Sequence, residues 1–163
     1  MIPVNELVRG YNLFRDEYEQ KAVSVLRKGW YVLGKEVEEF EDEYAKALGG
    51  GCYCVGVDNG LNAIRLGLYA SGIGPNDEVI VQANGYIATM LGVIQNGGIP
   101  IFVEPDEYHN LDADRIEAAI TDRTKAVLVT HLYGQATRMD KVMEVCKKHG
   151  LMLFEDCAQS HFS

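Results

Sequence analysis

Asp156 follows the apolar run Leu151–Phe154 and stands just ahead of Ala158 and Gln159. A carboxylate at the end of a buried strand can ligate magnesium, pair with a protonated heteroaromatic nitrogen, or simply cap the next turn. Asn59-Gly60-Leu61 lies where an apolar run gives way to a helical pattern. Glycine lets a ligand approach the main chain closely, and unpaired amides at a helix start favour a phosphate. The same three residues also suit an ordinary tight turn without a ligand. Neither a Gly-x-Gly-x-x-Gly fingerprint nor a Gly-Lys-Ser/Thr phosphate loop is present.

Other side chains have two readings each. Tyr86 can stack on a planar ring or serve as one more core or surface aromatic. The position of His131, directly after Thr130, suits an acid or base, and equally a structural histidine bonded to nearby main chain. His109 and His149 have polar neighbours in sequence and read as solvated. Trp30-Tyr31, ahead of Gly34, fits an interface or a hydrophobic staple for the next helix.

The elements that must position these residues follow from periodicity. Apolar residues recur at helical spacing over Phe14–Leu26 and Lys35–Leu48, and Gly49-Gly50-Gly51 stops the second. Cys52–Val57 reads as a short buried strand, which would turn Cys52 and Cys54 to opposite faces. Helices are expected over Asn62–Ser71, Ala88–Asn96, Asp112–Ala119 (capped by Asp112) and Met139–His149 (stopped by Gly150). Strands are expected over Glu78–Gln82, Ile99–Val103, Lys125–Thr130 and Leu151–Phe154. Near-continuous apolar strands alternating with helices imply an α/β fold, its mostly parallel sheet covered on both faces. Ligands in such folds gather at the carboxyl ends of the strands, where Asp58–Asn62, Ala83–Tyr86, His131–Gln135 and Glu155–Gln159 fall.

Composition narrows the function classes. The chain has 163 residues, 47% of them hydrophobic and 24% charged, which excludes a disordered protein and suits one domain without an interdomain linker. Its formal charge of −9 argues against a nucleic-acid or anionic-membrane partner. It does not bar a small anion held by main-chain amides. Cys52, Cys54, Cys146 and Cys157 are too few and too irregular for a disulfide framework, and no zinc-type pairing of Cys or His is spaced along the chain. The start, Met1-Ile2-Pro3-Val4-Asn5-Glu6, has no basic segment followed by an apolar one, and no run approaches a membrane span. The expectation is a cytoplasmic protein with reduced thiols.

Taken in order, seven segments resemble the DegT/DnrJ/EryC1/StrS family of sugar aminotransferases, which use pyridoxal phosphate. They are Gly29-Trp30-Tyr31-Val32-Leu33-Gly34, Val37-Glu38-Glu39-Phe40-Glu41, Val57-Asp58-Asn59-Gly60-Leu61-Asn62-Ala63-Ile64 and Asn76-Asp77-Glu78-Val79-Ile80-Val81. The series continues with Ala83-Asn84-Gly85-Tyr86-Ile87-Ala88-Thr89, Val129-Thr130-His131-Leu132-Tyr133-Gly134-Gln135 and Glu155-Asp156-Cys157-Ala158-Gln159-Ser160-His161. The resemblance covers essentially the whole chain.

The resemblance implies the large domain of fold type I, the aspartate aminotransferase-like class, in truncated form. Residues 1–163 would be the N-terminal part of that domain, without its remainder and without the small C-terminal domain. It implies that the amides of Gly60 and Leu61 hold the cofactor phosphate and that Tyr86 stacks on the pyridine ring. Asp156 would pair with the protonated ring nitrogen, and Gln159 would contact the ring oxygen. No metal is implied. The family's Schiff-base lysine follows the Asp-x-Ala-Gln segment in a Ser-x-x-x-Lys context, and no lysine here has that context, so it is expected beyond Ser163 and the chain alone is expected to be inactive. The implied reaction moves an amino group, from glutamate or another amino-acid donor, to a nucleotide-linked keto sugar in deoxyamino-sugar and surface-polysaccharide biosynthesis, in a homodimer. Two residues depart from the family pattern: Leu61 stands where a hydroxyl residue is usual, and Phe162 where glycine is common. Asn-Gly-Leu resembles the branch acting on 3-keto-6-deoxy sugar nucleotides. A module that binds the cofactor or sugar nucleotide for regulation, without turnover, is the competing reading; a magnesium-dependent nucleotide-binding domain built on Asp156 is a third.

Overall fold

A computed structural model describes residues 3 and 5–162. Met1, Ile2 and Val4, on which part of the reading of the N-terminus rests, and Ser163 lie outside the described residues. The chain divides into two compact units, one ending at Gly56 and the other beginning at Val57.

Among its described residues the first unit holds three helices, α1 (Leu7–Leu13), α2 (Arg15–Lys28) and α3 (Lys35–Ala47). The sequence pattern gave no sign of α1, which has no side-chain cap at its start. Helix α2 stops where Gly29 adopts a left-handed φ of 68°, a conformation that costs glycine little. Lys21 pairs with Glu39 at 3.6 Å and Lys28 with Glu36, linking α2 to α3. Between those helices Trp30 Nε1 donates to the Val32 carbonyl and the Tyr31 hydroxyl to the Leu26 carbonyl.

The strand expected over Cys52–Val57 is not formed. The segment is irregular and open, with Tyr53 99% exposed. An apolar run becomes a strand only where a neighbouring strand accepts its hydrogen bonds, and the sheet described below pairs only the four other strands. The segment instead finds local partners: Gly56 N–H donates to Glu41 Oε1 at 2.6 Å, and Cys52 Sγ lies 3.6 Å from the Ala45 carbonyl.

The second unit runs α4 (Gly60–Ala70), β1 (Glu78–Gln82), α5 (Ile87–Ile94), β2 (Ile99–Val103), α6 (Ala113–Ile116), β3 (Thr124–Thr130), α7 (Met139–His149) and β4 (Met152–Asp156). Short 3₁₀ turns follow α6 and β3. All strand pairings are parallel, in the order β2-β1-β3-β4. Alternate residues of β1 and β3 serve opposite layers, as the two-residue period of a strand requires. Val79, Val81, Ala126 and Leu128 pack with Leu68, Ile73 and Val93 of the α4–α5 layer. Ile80, Val127 and Val129 pack with Leu111, Ile116, Val142 and Cys146 of the α6–α7 layer. The parallel sheet covered on both faces is therefore as the sequence implied.

Strand order reverses at β1: the chain passes from β1 out to β2, then returns to place β3 on the other side of β1. A crevice opens at the carboxyl ends of the strands where such a reversal occurs. Helices α4 and α5 meet closely above it, because Gly92 has no side chain; a Cβ there would come within 2.5 Å of Ile64 Cγ2.

Candidate functional site

Helix α4 starts one residue after Asn59, whose extended backbone and side chain form its N-cap. Asn59 Oδ1 accepts the N–H of Asn62 at 2.9 Å, and the Ala63 N–H reaches the Asn59 carbonyl at 3.0 Å. The first amides of a helix have no partner inside it, so those of Gly60 and Leu61 remain open at the positive end of the helix dipole. A Cβ built on Gly60 would meet nothing within 4 Å, so space lies beside these amides. Asp58 accepts from the side-chain amides of Asn59 and Asn62, at 3.0 Å and 2.7 Å.

Asp156 ends β4 directly opposite Thr130 in the parallel register. Its Oδ1 accepts the Ala158 N–H at 3.0 Å, and the Thr130 hydroxyl lies 3.5 Å from Oδ2. Thr130 is held in turn from β1, where Gln82 Oε1 accepts its main-chain N–H at 3.3 Å. The carboxylate thus caps a turn and also faces the cleft.

His131 is 2% exposed and bonded on both ring nitrogens. The Thr137 amide donates to Nδ1 at 3.1 Å, which puts the ring proton on Nε2, 3.1 Å from Glu155 Oε2. The structural reading of this histidine therefore holds. His131, Glu155 and Cys157 also offer donor atoms within 4.8 Å of one another, a grouping that no spacing in the sequence disclosed. A metal at Nε2 would need the lone pair that the proton occupies, so the ring as wired braces two loops. Burial, with the Glu155 and Asp156 carboxylates adding to it, pushes the Cys157 thiol above its ordinary range and makes it a weak nucleophile. His149, read as solvated, is exposed but pairs with Glu117 at 2.7 Å. His109, also exposed, sets its ring edge-on to Tyr133.

One cleft of about 460 Å³ collects the candidates: Gly60, Leu61, Tyr86, Asp156 and Gln159 all line it. Tyr86, 74% exposed, is the N-cap of α5. Gln159 Oε1 accepts the Tyr133 N–H at 2.7 Å, which leaves its Nε2 hydrogens for the cleft. Most of the remaining wall is apolar, including Ile64, Ile87, Leu91 and Leu132. Thr89 also lines the cleft; it is 2% exposed and its hydroxyl has no hydrogen-bond partner. Sequence reasoning passed over Thr89, whose only signal was its place on the first turn after Tyr86. An unsatisfied buried hydroxyl costs about 1–3 kcal/mol, a deficit that a polar ligand atom would offset. Two open amides, an aromatic, a carboxylate, an amide donor and an orphan hydroxyl in an apolar cleft fit pyridoxal phosphate. The cleft's size is also in the usual range for a cofactor of that kind. No lysine lines it.

Comparison with known proteins agrees with this chemistry. The model of the DegT/DnrJ/EryC1/StrS aminotransferase family matches residues 13–163. The chain is 46% identical to the dTDP-3-amino-3,6-dideoxy-alpha-D-galactopyranose transaminase of Aneurinibacillus thermoaerophilus, over 99% of this chain and 44% of the relative. It is 43% identical to the dTDP-3-amino-3,4,6-trideoxy-alpha-D-glucose transaminase of Streptomyces venezuelae, over 98% and 42%. The crystal structure of DesV from S. venezuelae superposes with a TM-score of 0.92 at 44% identity, covering 98% of this chain and 43% of that one. NtdA of Bacillus subtilis, solved with bound cofactor PMP, gives 0.85 at 35% identity, covering 90% and 34%. The chain spans less than half the length of these relatives. Among the described residues no helix is long and apolar enough to cross a membrane.

Proposed function

This chain belongs to the DegT/DnrJ/EryC1/StrS aminotransferase family, whose cofactor is pyridoxal phosphate, and we propose that it forms the cofactor-binding layer of a sugar-nucleotide aminotransferase. The observation that carries this reading is the convergence of Gly60, Leu61, Tyr86, Asp156 and Gln159 on one cleft. In this reading the Gly60 and Leu61 amides hold the phosphate, and Tyr86 covers one face of the ring. The Asp156 carboxylate keeps a proton on the ring nitrogen, a task that an amide could not perform. Gln159 Nε2 donates to the ring oxygen, and the Thr89 hydroxyl gains a polar partner. When bound, the cofactor supplies an electron sink for the carbanion formed as an amino group changes carriers.

The substrate we propose is a nucleotide-linked 3-keto-6-deoxy sugar, with glutamate as donor. The names of the relatives and the Asn59-Gly60-Leu61 variant support it. The reactive lysine is supplied by residues outside 1–163, as are the small domain and the rest of the large one. Cytoplasmic location and a homodimer complete the proposal. Without an amine in the cleft, the chain alone binds the cofactor and does not turn over.

Pyridoxamine phosphate tests the reading, because it needs no lysine to bind. Titrated into the chain and followed by its own fluorescence, it is expected to bind, and Asp156→Asn is expected to weaken it at least tenfold, the scale of a hydrogen bond to a charged group. Equal affinity in the two proteins would overturn the assignment of Asp156. A regulatory module without turnover remains the second reading, favoured by the cleft's lack of a lysine. It predicts that no longer form of the protein transfers an amino group.

A further inference from the structure

Asn110 is 1% exposed and belongs to none of the helices or strands, yet every polar atom of its side chain is bonded. Its Oδ1 accepts the Leu132 N–H at 3.0 Å, and its Nδ2 donates to the Gln135 carbonyl at 3.1 Å. One amide therefore grips both ends of the Leu132–Gln135 turn. That turn is closed on itself by the Gln135 N–H bonding the Leu132 carbonyl at 3.1 Å. Asn110 is itself anchored by an antiparallel bridge region: its N–H reaches Asp106 Oδ1 at 3.1 Å, and its carbonyl accepts the Asp106 N–H at 2.8 Å.

The gripped turn contains a strained residue. Tyr133 has φ 59°, left-handed for a bulky side chain, a conformation that costs about 1–3 kcal/mol and lasts only where its surroundings enforce it. Nothing in a tyrosine favours that geometry, and the Tyr133 side chain is exposed. What the geometry achieves is to aim the Tyr133 N–H at Gln159 Oε1, 2.7 Å away. A main-chain N–H can only be accepted by the oxygen of a side-chain amide. The bond therefore fixes which end of Gln159 meets the cleft.

We propose that Asn110 is a positioning residue: by clamping the Leu132–Gln135 turn it sets the Tyr133 amide that orients Gln159, so that the Nε2 donors face the cleft. The proposal rests on the reading of Gln159 as a cofactor contact. Among the cleft residues the Asn110 side chain hydrogen-bonds only Leu132, through its main chain, and reaches Gln159 by way of the turn.

A double-mutant cycle on the full chain tests it, with pyridoxamine phosphate affinity as one readout and the Gln159 side-chain amide signals in a ¹H–¹⁵N spectrum of the ligand-free protein as the other. Gln159→Ala and Asn110→Ala are each expected to weaken binding about three- to tenfold, the scale of one hydrogen bond. The double variant is expected to be no weaker than Gln159→Ala, because both remove the same contact. In Asn110→Ala the Gln159 amide signals are expected to move to the positions of a free glutamine. Losses that multiply in the double variant, or Gln159 signals that stay in place in Asn110→Ala, would overturn the positioning role. Gln159→Ala without effect on affinity would overturn the cofactor reading instead, and the amide signals then report the clamp by themselves. If Asn110→Ala does not fold, Asn110→Asp takes its place: it keeps the acceptor for Leu132 and sets a carboxylate oxygen against the Gln135 carbonyl in place of the donor.

Discussion

Asn59 Oδ1 accepts the main-chain N–H of Asn62 at 2.9 Å, and with that bond the first turn of α4 is divided between two tasks. The third amide of the helix is satisfied by the cap, while the first two, on Gly60 and Leu61, have no partner among the described residues. The usual shortage of acceptors for the first amides of a helix is thus only partly met from within the chain.

Gly60→Ala separates these two tasks. Alanine favours a helix over glycine by about 0.5–1 kcal/mol, and its Cβ would touch nothing in the chain. The thermal midpoint is expected to rise slightly. Pyridoxamine phosphate affinity is expected to fall several-fold, because the methyl group occupies space beside the open amides. A variant that is more stable and binds equally well would show that the ligand's phosphate sits elsewhere.

Gly92→Ala probes the seam between α4 and α5. The added Cβ would lie 2.5 Å from Ile64 Cγ2 and 3.4 Å from the Arg65 nitrogen, so one helix must shift. Overpacking of this kind costs about 1–3 kcal/mol, readable by urea unfolding. Ligand affinity is expected to fall as well, since both helices contribute their N-terminal turns to the cleft. An unchanged urea midpoint would mean that the seam is looser than the geometry indicates.

The sequence disclosed most where one residue type sufficed to fix the geometry. Gly150, with φ 65°, ends α7 where expected, and the turn at Gly74-Pro75-Asn76-Asp77 delivers β1 with its predicted bounds. Of the five candidate residues, Tyr86, Asp156 and Gln159 reach one cleft because they end or follow strands of a parallel sheet, whose carboxyl ends share an edge; Gly60 and Leu61 join them from the start of α4. What stayed hidden depends on distant partners. Cys52–Val57 has the composition of a strand but no strand beside it, and composition carries no information about pairing. Nothing near Thr89 in sequence says that its hydroxyl lies buried without a partner. The bonds of His131 to Thr137 and Glu155 join residues 6 and 24 positions away. Helix α1 has no cap to announce it.

Glu78 predicts an acid-sensitive fold. It is buried at the start of β1 and accepts hydrogen bonds from Thr121, Thr124 and Arg123. The Thr121 hydroxyl, with Arg123 and Thr124, holds its carboxyl below the ordinary glutamate value, against the opposing effect of burial. A carboxyl with a lowered folded pKa contributes its stabilisation above the unfolded value of about 4.3 and loses it as pH falls through the folded one. Glu78→Gln is therefore expected to lower stability near neutrality by about 1–3 kcal/mol. It is also expected to flatten the loss of stability below pH about 4, measured by denaturant titrations across that range. Parallel curves for the two proteins would show that this carboxyl does not govern the acid limb.

The open amides of Gly60 and Leu61 belong to the backbone, and this bears on how the site can drift. A seat made of side chains is lost when one codon changes, whereas a seat made of main-chain amides survives any replacement but proline that keeps the helix start in place. In the proposed reading, Leu61, standing where a hydroxyl residue is usual in the family, would forgo a side-chain contact and keep its amide for the phosphate. Point changes other than to proline, which has no N–H to offer, leave these amides in place as long as the chain keeps its course at Asn59.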